Sequence, residues 1–281
     1  MSRVRVACGE GVLAGEDRGD WLERVAERVR AAASRGEVLS ERVESGDDAV
    51  WLKGDHLPGA ARVRHSLRRA CGLAVPALNE FRNLEWLRKR LFRVPEPLAA
   101  AAWLRGPLVG YQVLVTRALV PHVSLDEALR SAEPAKRDAW LDELAREVAR
   151  MHSLHFVHRD LFLRNVLVAV RTPASGDPRA LRFVDCRRGG AALPWRGESY
   201  DLGCLMLEGA AELDANSQRR FFELYFAERD AQGSPADSDS LLRGANAARA
   251  AWIERLARDP ERLRGRAMPP RDWNALAVLT R

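Results

Sequence analysis

One stretch decides the fold of this chain: His158-Arg159-Asp160-Leu161-Phe162-Leu163-Arg164-Asn165-Val166-Leu167-Val168. An aspartate in such a loop can accept or orient the proton of an attacking hydroxyl group. An asparagine five residues later can turn back and hold a metal ion at the phosphates. The apolar residues Val166 to Val168 would anchor the loop to a strand. The full pattern HRDLxxxN with its apolar flank predicts the catalytic loop of a phosphotransferase, whereas an isolated HRD triplet occurs by chance.

Two further charged residues stand where this chemistry needs them. Arg182-Phe183-Val184-Asp185 reads as an apolar strand ending in an aspartate, whose carboxylate would bind the metal that bridges the β- and γ-phosphates. Upstream, Ala49-Val50-Trp51-Leu52-Lys53 resembles the third-strand lysine motif, in which the cation holds the α- and β-phosphates. The usual partner of this lysine is a glutamate on the next helix, where Glu80 is the first candidate and Glu85 the second. Such a pair could also be a surface ion pair of little energy.

Hydrophobic spacing indicates that strands and one helix come first and that a helical half follows, with a boundary near 117–122. The predicted strands cover 37–53 (two strands around a turn), 98–103, 111–116, 157, 167–168 and 181–184, and the predicted helices cover 76–92, 125–129 and 136–155. From Tyr200 onward the chain is predicted to be mostly helical, with a polar loop over Ala231–Ser240.

Asp20 to Ala33 is predicted to form an amphipathic helix. Trp21, Leu22, Val25 and Val29 lie near one face of this helix, and arginines lie elsewhere. The favoured interpretation is that the apolar face packs in a core. The alternative is contact with a membrane surface.

The composition limits which partners and which cellular compartment we expect. The chain has 281 residues, a formal net charge of +6 and a pI of about 9.6, which favours anionic partners. No aromatic stacking platform is visible, so we expect no nucleic acid partner. Cys8, Cys71, Cys186 and Cys204 form no CxxC pair, which favours a reduced, cytoplasmic setting. Neither a signal peptide nor a transmembrane helix is expected, because long apolar runs are lacking.

Several stretches resemble the bacterial lipopolysaccharide kinase family, which includes Kdo and heptose kinases. They are Asn79-Glu80-Phe81-Arg82-Asn83-Leu84-Glu85-Trp86-Leu87, Pro95-Glu96-Pro97-Leu98, Leu114-Val115-Thr116-Arg117-Ala118-Leu119, Phe156-Val157-His158-Arg159-Asp160-Leu161, Val184-Asp185-Cys186-Arg187-Arg188 and Phe221-Phe222-Glu223-Leu224-Tyr225. Tyr200-Asp201-Leu202-Gly203 resembles the aspartate at a helix start that braces the catalytic loop. The Glu-Phe-Arg-Asn-Leu context is the reason for preferring Glu80 to Glu85. The resemblance covers roughly 36–265.

The resemblance implies an α+β, bilobal, protein-kinase-like fold with a small β-rich N-lobe and a larger helical C-lobe. The expected division is an extension with an amphipathic helix over 1–35, an N-lobe over 36–119 and a C-lobe over 120–281. Lys53 and Glu80 would belong to the N-lobe. The C-lobe would carry the catalytic Asp160. Asn165 and Asp185 are expected to contact ATP and the metal. Thr116 and Ala118 are expected at the hinge between the lobes, where backbone groups bind adenine.

The family resemblance also implies an activity and a place. We expect ATP-dependent phosphorylation of a hydroxyl group on a lipid-linked sugar, with Mg²⁺ or Mn²⁺ as the metal. The expected partners are ATP and an anionic glycolipid or sugar acceptor. The expected location is the cytoplasm, with peripheral contact at the inner face of the cytoplasmic membrane. The basic pI agrees with such a surface and would agree with other anions too.

Four features depart from the family pattern. No GxGxxG is visible, and Gly36 and Gly46 are the only glycines near the expected nucleotide-covering loop. Arg117 stands where relatives often carry an acidic residue. The stretch from Asp185 to Asp201 is short and contains no APE, which argues against an ordinary protein kinase. Arg164 directly precedes Asn165.

Two other functions stay open on the residues alone. One is a different kinase-like enzyme that acts on a small molecule or on protein. The other is a pseudokinase that serves as a binding scaffold, which the missing glycine-rich loop keeps open. The arginines Arg164, Arg187, Arg188 and Arg196 form either a basic rim near the acceptor or a solvated face.

Overall fold

A computed structural model of the chain describes a set of ranges separated by short gaps. These ranges are 2–8, 18–45, 48–57, 59–70, 75–105, 108–119, 121–169, 180–191, 193 and 196–263. The chain divides into two compact units, Met1–Val120 and Pro121–Arg281.

Unit 1 is built on an antiparallel five-stranded sheet with the strand order β1-β4-β5-β3-β2. The strands are β1 (Ser2–Cys8), β2 (Leu39–Ser45), β3 (Asp48–His56), β4 (Pro97–Arg105) and β5 (Leu108–Arg117), and the helices are α1 (Arg18–Ser34), α2 (Gly59–Ala70) and α3 (Pro76–Lys89). The predicted strands over 37–53, 98–103 and 111–116 are confirmed. The strand β1 pairs with β4 along its whole length and so belongs to the same sheet.

The helix α1 packs its apolar face on this sheet. Val25, Val29 and Ala32 are buried in one cluster with residues of the strands. The helix approaches β3 so closely that a Cβ added at Gly54 would lie 2.6 Å from Cγ2 of Val29. Glycine is therefore required at this position by the close approach. The core-packing interpretation of this helix is confirmed.

The helix α3 is fixed to the sheet at its first turn. Pro76 occupies the first helical position, where its missing N–H is not needed. The backbone N–H of Ala77 donates to Oε1 of Gln112 on β5 at 3.0 Å, and Gln112 is buried. A side chain of the sheet thus caps the helix, because the first N–H groups of a helix have no partner within it. This cap sets the position of the helix that carries Glu80.

The helix α2 corrects the expectation that a single helix accompanies the early strands. Its sequence, GAARVRHSLRRA, contains four arginines, and its large aliphatic residues are Val63 and Leu67. Val63 and Leu67, which do share a face, are exposed. Two large aliphatic residues are too few to establish a helical period, so the sequence did not predict this helix.

Unit 2 is mostly helical, as predicted. Its helices are α4 (Leu125–Ser131), α5 (Pro134–Ser153), α6 (Glu198–Glu212), α7 (Ala215–Ala231) and α8 (Ser238–Arg258), its strands are β6 (His122–Ser124), β7 (Phe156–Val157), β8 (Val166–Ala169), β9 (Leu181–Phe183) and β10 (Gly190–Ala191), and its 3₁₀ turns are Leu163–Asn165, Cys186–Arg188 and Pro260–Leu263. The strands form a small sheet β6-β8-β9 and a pair β10-β7.

The polar loop predicted over Ala231–Ser240 is shorter than expected, because α8 already begins at Ser238. Asp237 caps this helix by accepting from the N–H of Ser240 at 3.2 Å.

The helices α6 and α8 cross in close contact. A Cβ added at Gly203 in α6 would lie 2.7 Å from the carbonyl oxygen of Ala245 and 2.8 Å from Cβ of Ala248. Both neighbours belong to α8 and one is a backbone atom. The glycine that follows Asp201 in the sequence motif therefore allows the two helices to pack.

Candidate active site

In unit 1, an ion pair joins the third strand to the helix α3. Lys53 lies on β3, where it is opposite Ser40 on one side and Leu114 on the other. Its Nζ lies 3.3 Å from Oε1 of Glu80, with side chains that are 29% and 6% exposed. The sequence context favoured Glu80 as the partner of Lys53, and the two side chains do form an ion pair. A carboxylate this well buried holds the ammonium group in place more firmly than a surface partner could.

The two residues predicted to contact adenine lie at the end of β5 and directly after it. Thr116 is buried and is opposite Trp51 and Pro97 in the sheet register. The backbone N–H of Ala118 donates to the carbonyl oxygen of Ala49 at 2.8 Å. This N–H is therefore committed to the sheet, so an adenine contact at Ala118 would have to use its carbonyl oxygen.

Arg117, which stands where relatives often carry an acidic residue, is tied to the loop before β4. Its Nε lies 2.8 Å from Oε2 of Glu96, and its backbone N–H donates to the carbonyl oxygen of the same residue at 2.9 Å. The hydrogen bond from Arg117 lowers the pKa of the Glu96 carboxyl group, and the nearby charge of Arg88 lowers it further. Arg117 thus has a structural partner.

In unit 2, the loop after β7 holds Asp160 and Asn165 together. Nδ2 of Asn165 donates to the carbonyl oxygen of Asp160 at 2.7 Å. A 3₁₀ turn, in which the N–H of Asn165 donates to the carbonyl oxygen of Phe162 at 2.9 Å, brings the amide back toward the aspartate. The Asp160 side chain is 17% exposed, while Asn165 is buried. The loop therefore holds a partly exposed Asp160 on a fixed backbone.

Val184 connects this loop to Asp185. Its N–H donates to the carbonyl oxygen of Asn165 at 3.0 Å, and its carbonyl oxygen accepts from Nε2 of the buried His158 at 3.0 Å. Asp185 follows in the left-handed region with φ 63° and ψ 31°. A non-glycine residue in this conformation is uncommon and concentrates at functional sites. The structure thus brings Asp160, Asn165 and Asp185 to one loop cluster.

Asp201 braces the catalytic loop from the first turn of α6. Its two carboxylate oxygens accept hydrogen bonds of 2.6 Å from the backbone N–H groups of His158 and Arg159. The carboxylate is fully buried. Charge-assisted bonds of this length are among the strongest in proteins. This brace agrees with the family resemblance of the Tyr200-Asp201-Leu202-Gly203 motif.

A buried polar network extends from Asp201 to α7, and the sequence did not reveal it. Oδ2 of Asp201 lies 3.4 Å from Nε2 of His152, and Nδ1 of His152 lies 2.8 Å from the hydroxyl of Tyr225. That hydroxyl accepts from Nη1 of Arg229 at 3.2 Å, and Arg229 pairs with Glu198 at 2.6 Å. Burial raises the pKa of the Tyr225 hydroxyl. The signal could not be read locally, because His152 and Tyr225 are 73 residues apart.

Arg159 organises the short segment after Asp185. Nη1 donates to the carbonyl oxygen of Arg188 at 2.9 Å, Nη2 donates to that of Ala191, and Nε donates to that of Arg196 at 3.4 Å. The backbone of Arg159 has a φ of 60°, which the Asp201 brace stabilises. An arginine of the loop itself therefore holds three backbone carbonyl groups that follow Asp185.

The arginines of the candidate basic rim differ in their contacts. Nη1 of Arg188 lies 3.9 Å from Oδ1 of Asp160, and its side chain is 45% exposed. Arg164, by contrast, pairs with Glu208 through both its guanidinium group and its backbone N–H, and it stacks on Phe162. Arg196 lies over the ring of Tyr200. Arg188 is thus a member of the rim that lies beside Asp160.

Two negative findings apply to the described ranges. There, no group of three or more histidine, cysteine, aspartate or glutamate side chains is arranged to hold a metal. The helices that the structure describes are too short or too polar to span a bilayer.

Comparison with known proteins agrees with this geometry. The model of the Lipopolysaccharide kinase (Kdo/WaaP) family matches residues 16–225. The chain is 29% identical over 159 residues to the lipopolysaccharide core heptose(I) kinase WaaP of Pseudomonas aeruginosa. The aligned stretch covers 54% of this chain and 56% of that protein. The chain thus spans little more than half the length of this curated relative.

A solved structure described as WaaP in complex with acyl carrier protein has a similar fold. It superposes with a TM-score of 0.56 at 23% identity and covers 90% of this chain and 98% of the other. The predicted α+β, protein-kinase-like fold is confirmed. Because the family model matches most of the chain, including the braced catalytic loop, this protein belongs to the Lipopolysaccharide kinase (Kdo/WaaP) family.

Proposed function

We propose that this chain is an ATP-dependent kinase that phosphorylates a hydroxyl group on a lipid-linked sugar of lipopolysaccharide. The observation that carries the proposal is the braced loop of unit 2. There, Asp160 and Asn165 share a hydrogen bond of 2.7 Å, and Asp201 holds the backbone before them. A family likeness alone would leave open an inactive member, but this loop keeps the groups that phosphoryl transfer needs.

Asp160 would act on the acceptor. In the proposed reaction, the oxygen of the acceptor hydroxyl bonds to the γ-phosphorus of ATP, the bond from that phosphorus to the β,γ-bridging oxygen breaks, and ADP leaves. The hydroxyl proton passes to the Asp160 carboxylate. This side chain is partly exposed and its backbone is fixed, which suits a group that must meet a second substrate.

Asn165 and Asp185 would hold the metal ion, Mg²⁺ or Mn²⁺. Because Nδ2 of Asn165 donates to the loop backbone, its amide oxygen is the atom oriented for a ligand role. A carboxylate and an amide oxygen are ligands that a hard cation prefers. The residues therefore fit the ion, which when bound would neutralise charge on the phosphates.

Lys53 would hold the α- and β-phosphates, positioned by Glu80. The Lys53 side chain is partly exposed, while that of Glu80 is nearly buried, so the lysine stays accessible to a ligand. At the hinge, Thr116 and the carbonyl oxygen of Ala118 would contact adenine. No glycine-rich loop is needed for these contacts.

The acceptor would be an anionic glycolipid, and Arg188 would bind one of its negative groups. This arginine is half-exposed and lies beside Asp160, where its planar guanidinium suits phosphate or carboxylate recognition. Because such an acceptor is anchored in lipid, we propose that the protein works in the cytoplasm, in peripheral contact with the inner face of the cytoplasmic membrane.

The test is transfer of labelled γ-phosphate from ATP to dephosphorylated lipopolysaccharide, with Mg²⁺ or with chelator, for the wild type and for Asp160→Asn. Metal-dependent labelling by the wild type alone supports the proposal. Labelling of proteins or free small sugars instead would favour another kinase-like enzyme. Binding of Mg-ATP without transfer to any of these acceptors would favour a scaffold and overturn the proposal.

A further inference from the structure

The helix α2 turns apolar side chains to solvent. Ala60, Val63 and Leu67 follow one another at spacings of three and four residues, so they share one face of the helix. Val63 is 53% exposed and Leu67 is 63% exposed. Single exposed aliphatic residues are ordinary, but a row of them on one helix face is a candidate contact surface.

The opposite face of α2 is fixed to the sheet, which keeps the apolar row outward. Oγ of Ser66 accepts from the backbone N–H of Val109 at 3.1 Å and donates to the carbonyl oxygen of Arg62 at 2.7 Å. Nε of Arg62 donates to the carbonyl oxygen of Leu57 at 3.1 Å. A rotation of the helix that buried Leu67 would break these bonds. The exposure is therefore a property of the fold.

The charge of α2 has a single sign. The helix contains Arg62, Arg64, Arg68 and Arg69 and no acidic residue. Arg64 is exposed and directly follows Val63 on the outward side. An outward row of aliphatic residues bordered by arginine is the pattern of a helix that lies in a membrane interface. Anionic headgroups attract such arginines, and acyl chains accept the aliphatic side chains.

We propose that α2 docks this protein on an anionic phospholipid bilayer, with Val63 and Leu67 among the acyl chains and Arg64 at the phosphates. The row lies on a convex helix face, and a fluid bilayer can accommodate that shape without a complementary groove. The inference goes beyond the proposed function, because it assigns the membrane contact to one helix and is tested without ATP or acceptor. The helix α1 does not serve this purpose, since its apolar face is in the core.

The experiment is co-sedimentation of the full chain with vesicles of phosphatidylcholine alone or mixed with phosphatidylglycerol. The variants are Val63→Ser/Leu67→Ser and Arg64→Glu. The matched control is Val38→Ser, because Val38 is 62% exposed on the same unit but lies outside α2. We expect the wild type to bind the anionic vesicles and the control to match it. The double variant should bind about tenfold more weakly, because two aliphatic side chains no longer leave water.

Arg64→Glu should weaken the binding at about 0.1 M salt, where headgroup charges are only partly screened. Equal binding to neutral vesicles, or undiminished binding of the double variant, would overturn the proposal. So would displacement by soluble glycerophosphoglycerol, which would indicate a headgroup site. Thermal unfolding of each variant shows that it is folded. Phosphate transfer to detergent-solubilised acceptor should be unchanged in the double variant, so a failure of membrane docking and a failure of the kinase proposal remain distinguishable.

Discussion

Oδ1 of Asp201 accepts a hydrogen bond of 2.6 Å from the backbone N–H of Arg159. Arg159 has a φ of 60°, a conformation that costs a non-glycine residue roughly 1–3 kcal/mol. The buried carboxylate offsets this strain and fixes the residue directly before Asp160. The same arginine shapes the segment that follows Asp185, so one carboxylate on α6 supports both parts of the candidate site.

Asp201→Asn tests this support. An amide has one acceptor oxygen and turns an NH₂ group toward a backbone donor, so one of the two N–H groups is left unpaired. We expect the free energy of unfolding to fall by about 2–4 kcal/mol and phosphate transfer to fall about 10²-fold through misplacement of Asp160. Chemical denaturation and single-turnover transfer measure the two effects.

The matched control for that substitution is Asp237→Asn. Asp237 caps α8 on the surface, and asparagine caps a helix about as well as aspartate. The control should change neither quantity measurably. If Asp201→Asn behaves like Asp237→Asn, the brace has no role in catalysis or stability.

Lys53→Met and Glu80→Gln test the ion pair of unit 1. Loss of the lysine removes the cation proposed for the phosphates, and we expect transfer to fall by at least about 10²-fold. Glu80→Gln leaves the cation but loosens it, so its effect should be smaller, about tenfold. A double-mutant cycle on transfer rates should show strong non-additivity, because both residues act through one ammonium group.

The surface pair Arg28 and Glu41 is the control for that cycle. Its atoms are closer, at 2.6 Å, but its side chains are 50% and 39% exposed. Removing either member should leave transfer unchanged and should alter stability by less than about 1 kcal/mol. If the Lys53 and Glu80 substitutions have small and additive effects on the transfer rate, this pair too has only a structural role.

Gly203→Ala tests the crossing of α6 and α8. The added Cβ would meet a backbone oxygen of α8 at 2.7 Å, so the helices must separate. We expect a loss of about 1–3 kcal/mol in the free energy of unfolding, as for other overpacked sites. Thermal and chemical unfolding measure it.

Gly209→Ala, in the same helix, is the comparison. Its added Cβ would meet Sδ of Met206 at 3.2 Å, an atom of a flexible side chain that can move. This variant should be tolerated, because alanine also favours helix more than glycine does. Equal losses in the two variants would mean that helix crossing does not set the requirement for Gly203.

Asp214→Ala tests a pH-dependent helix cap. The carboxylate of Asp214 accepts from the backbone N–H of Ser217 at 2.8 Å, and this bond holds the pKa of Asp214 below its ordinary value of 3.8. A lowered folded-state pKa gives stability that is present above the unfolded pKa and lost as the pH falls through the folded one. The variant should lose about 1 kcal/mol at neutral pH. The difference from wild type should shrink below about pH 4.

Asp214→Asn separates charge from capping. Asparagine keeps the hydrogen bond but does not titrate, so its difference from alanine should be independent of pH. Chemical denaturation over a pH series measures all three proteins. A wild-type advantage that persists unchanged in acid would contradict the assignment of the cap to the ionised carboxylate.

Local patterns predicted the parts of the fold whose apolar residues face a core. Val25 and Val29 share a face because a helix repeats every 3.6 residues, and that face proved to be buried. The helix α2 escaped prediction because Val63 and Leu67 are its only large aliphatic residues, and the arginines around them break the core pattern. Periodicity reports which residues share a face, but only packing decides where the face points.

By itself, the sequence determined the order and spacing of the proposed catalytic groups. Asp160 and Asn165 belong to one short loop, so their hydrogen bond follows from local geometry. Only the tertiary structure decided which distant residues serve that loop. Asp201, His152 and Tyr225 meet through packing of three helices, and Arg164 is paired with Glu208. The physical reason is that such contacts join residues far apart in the chain, and their energy depends on burial that no local stretch encodes.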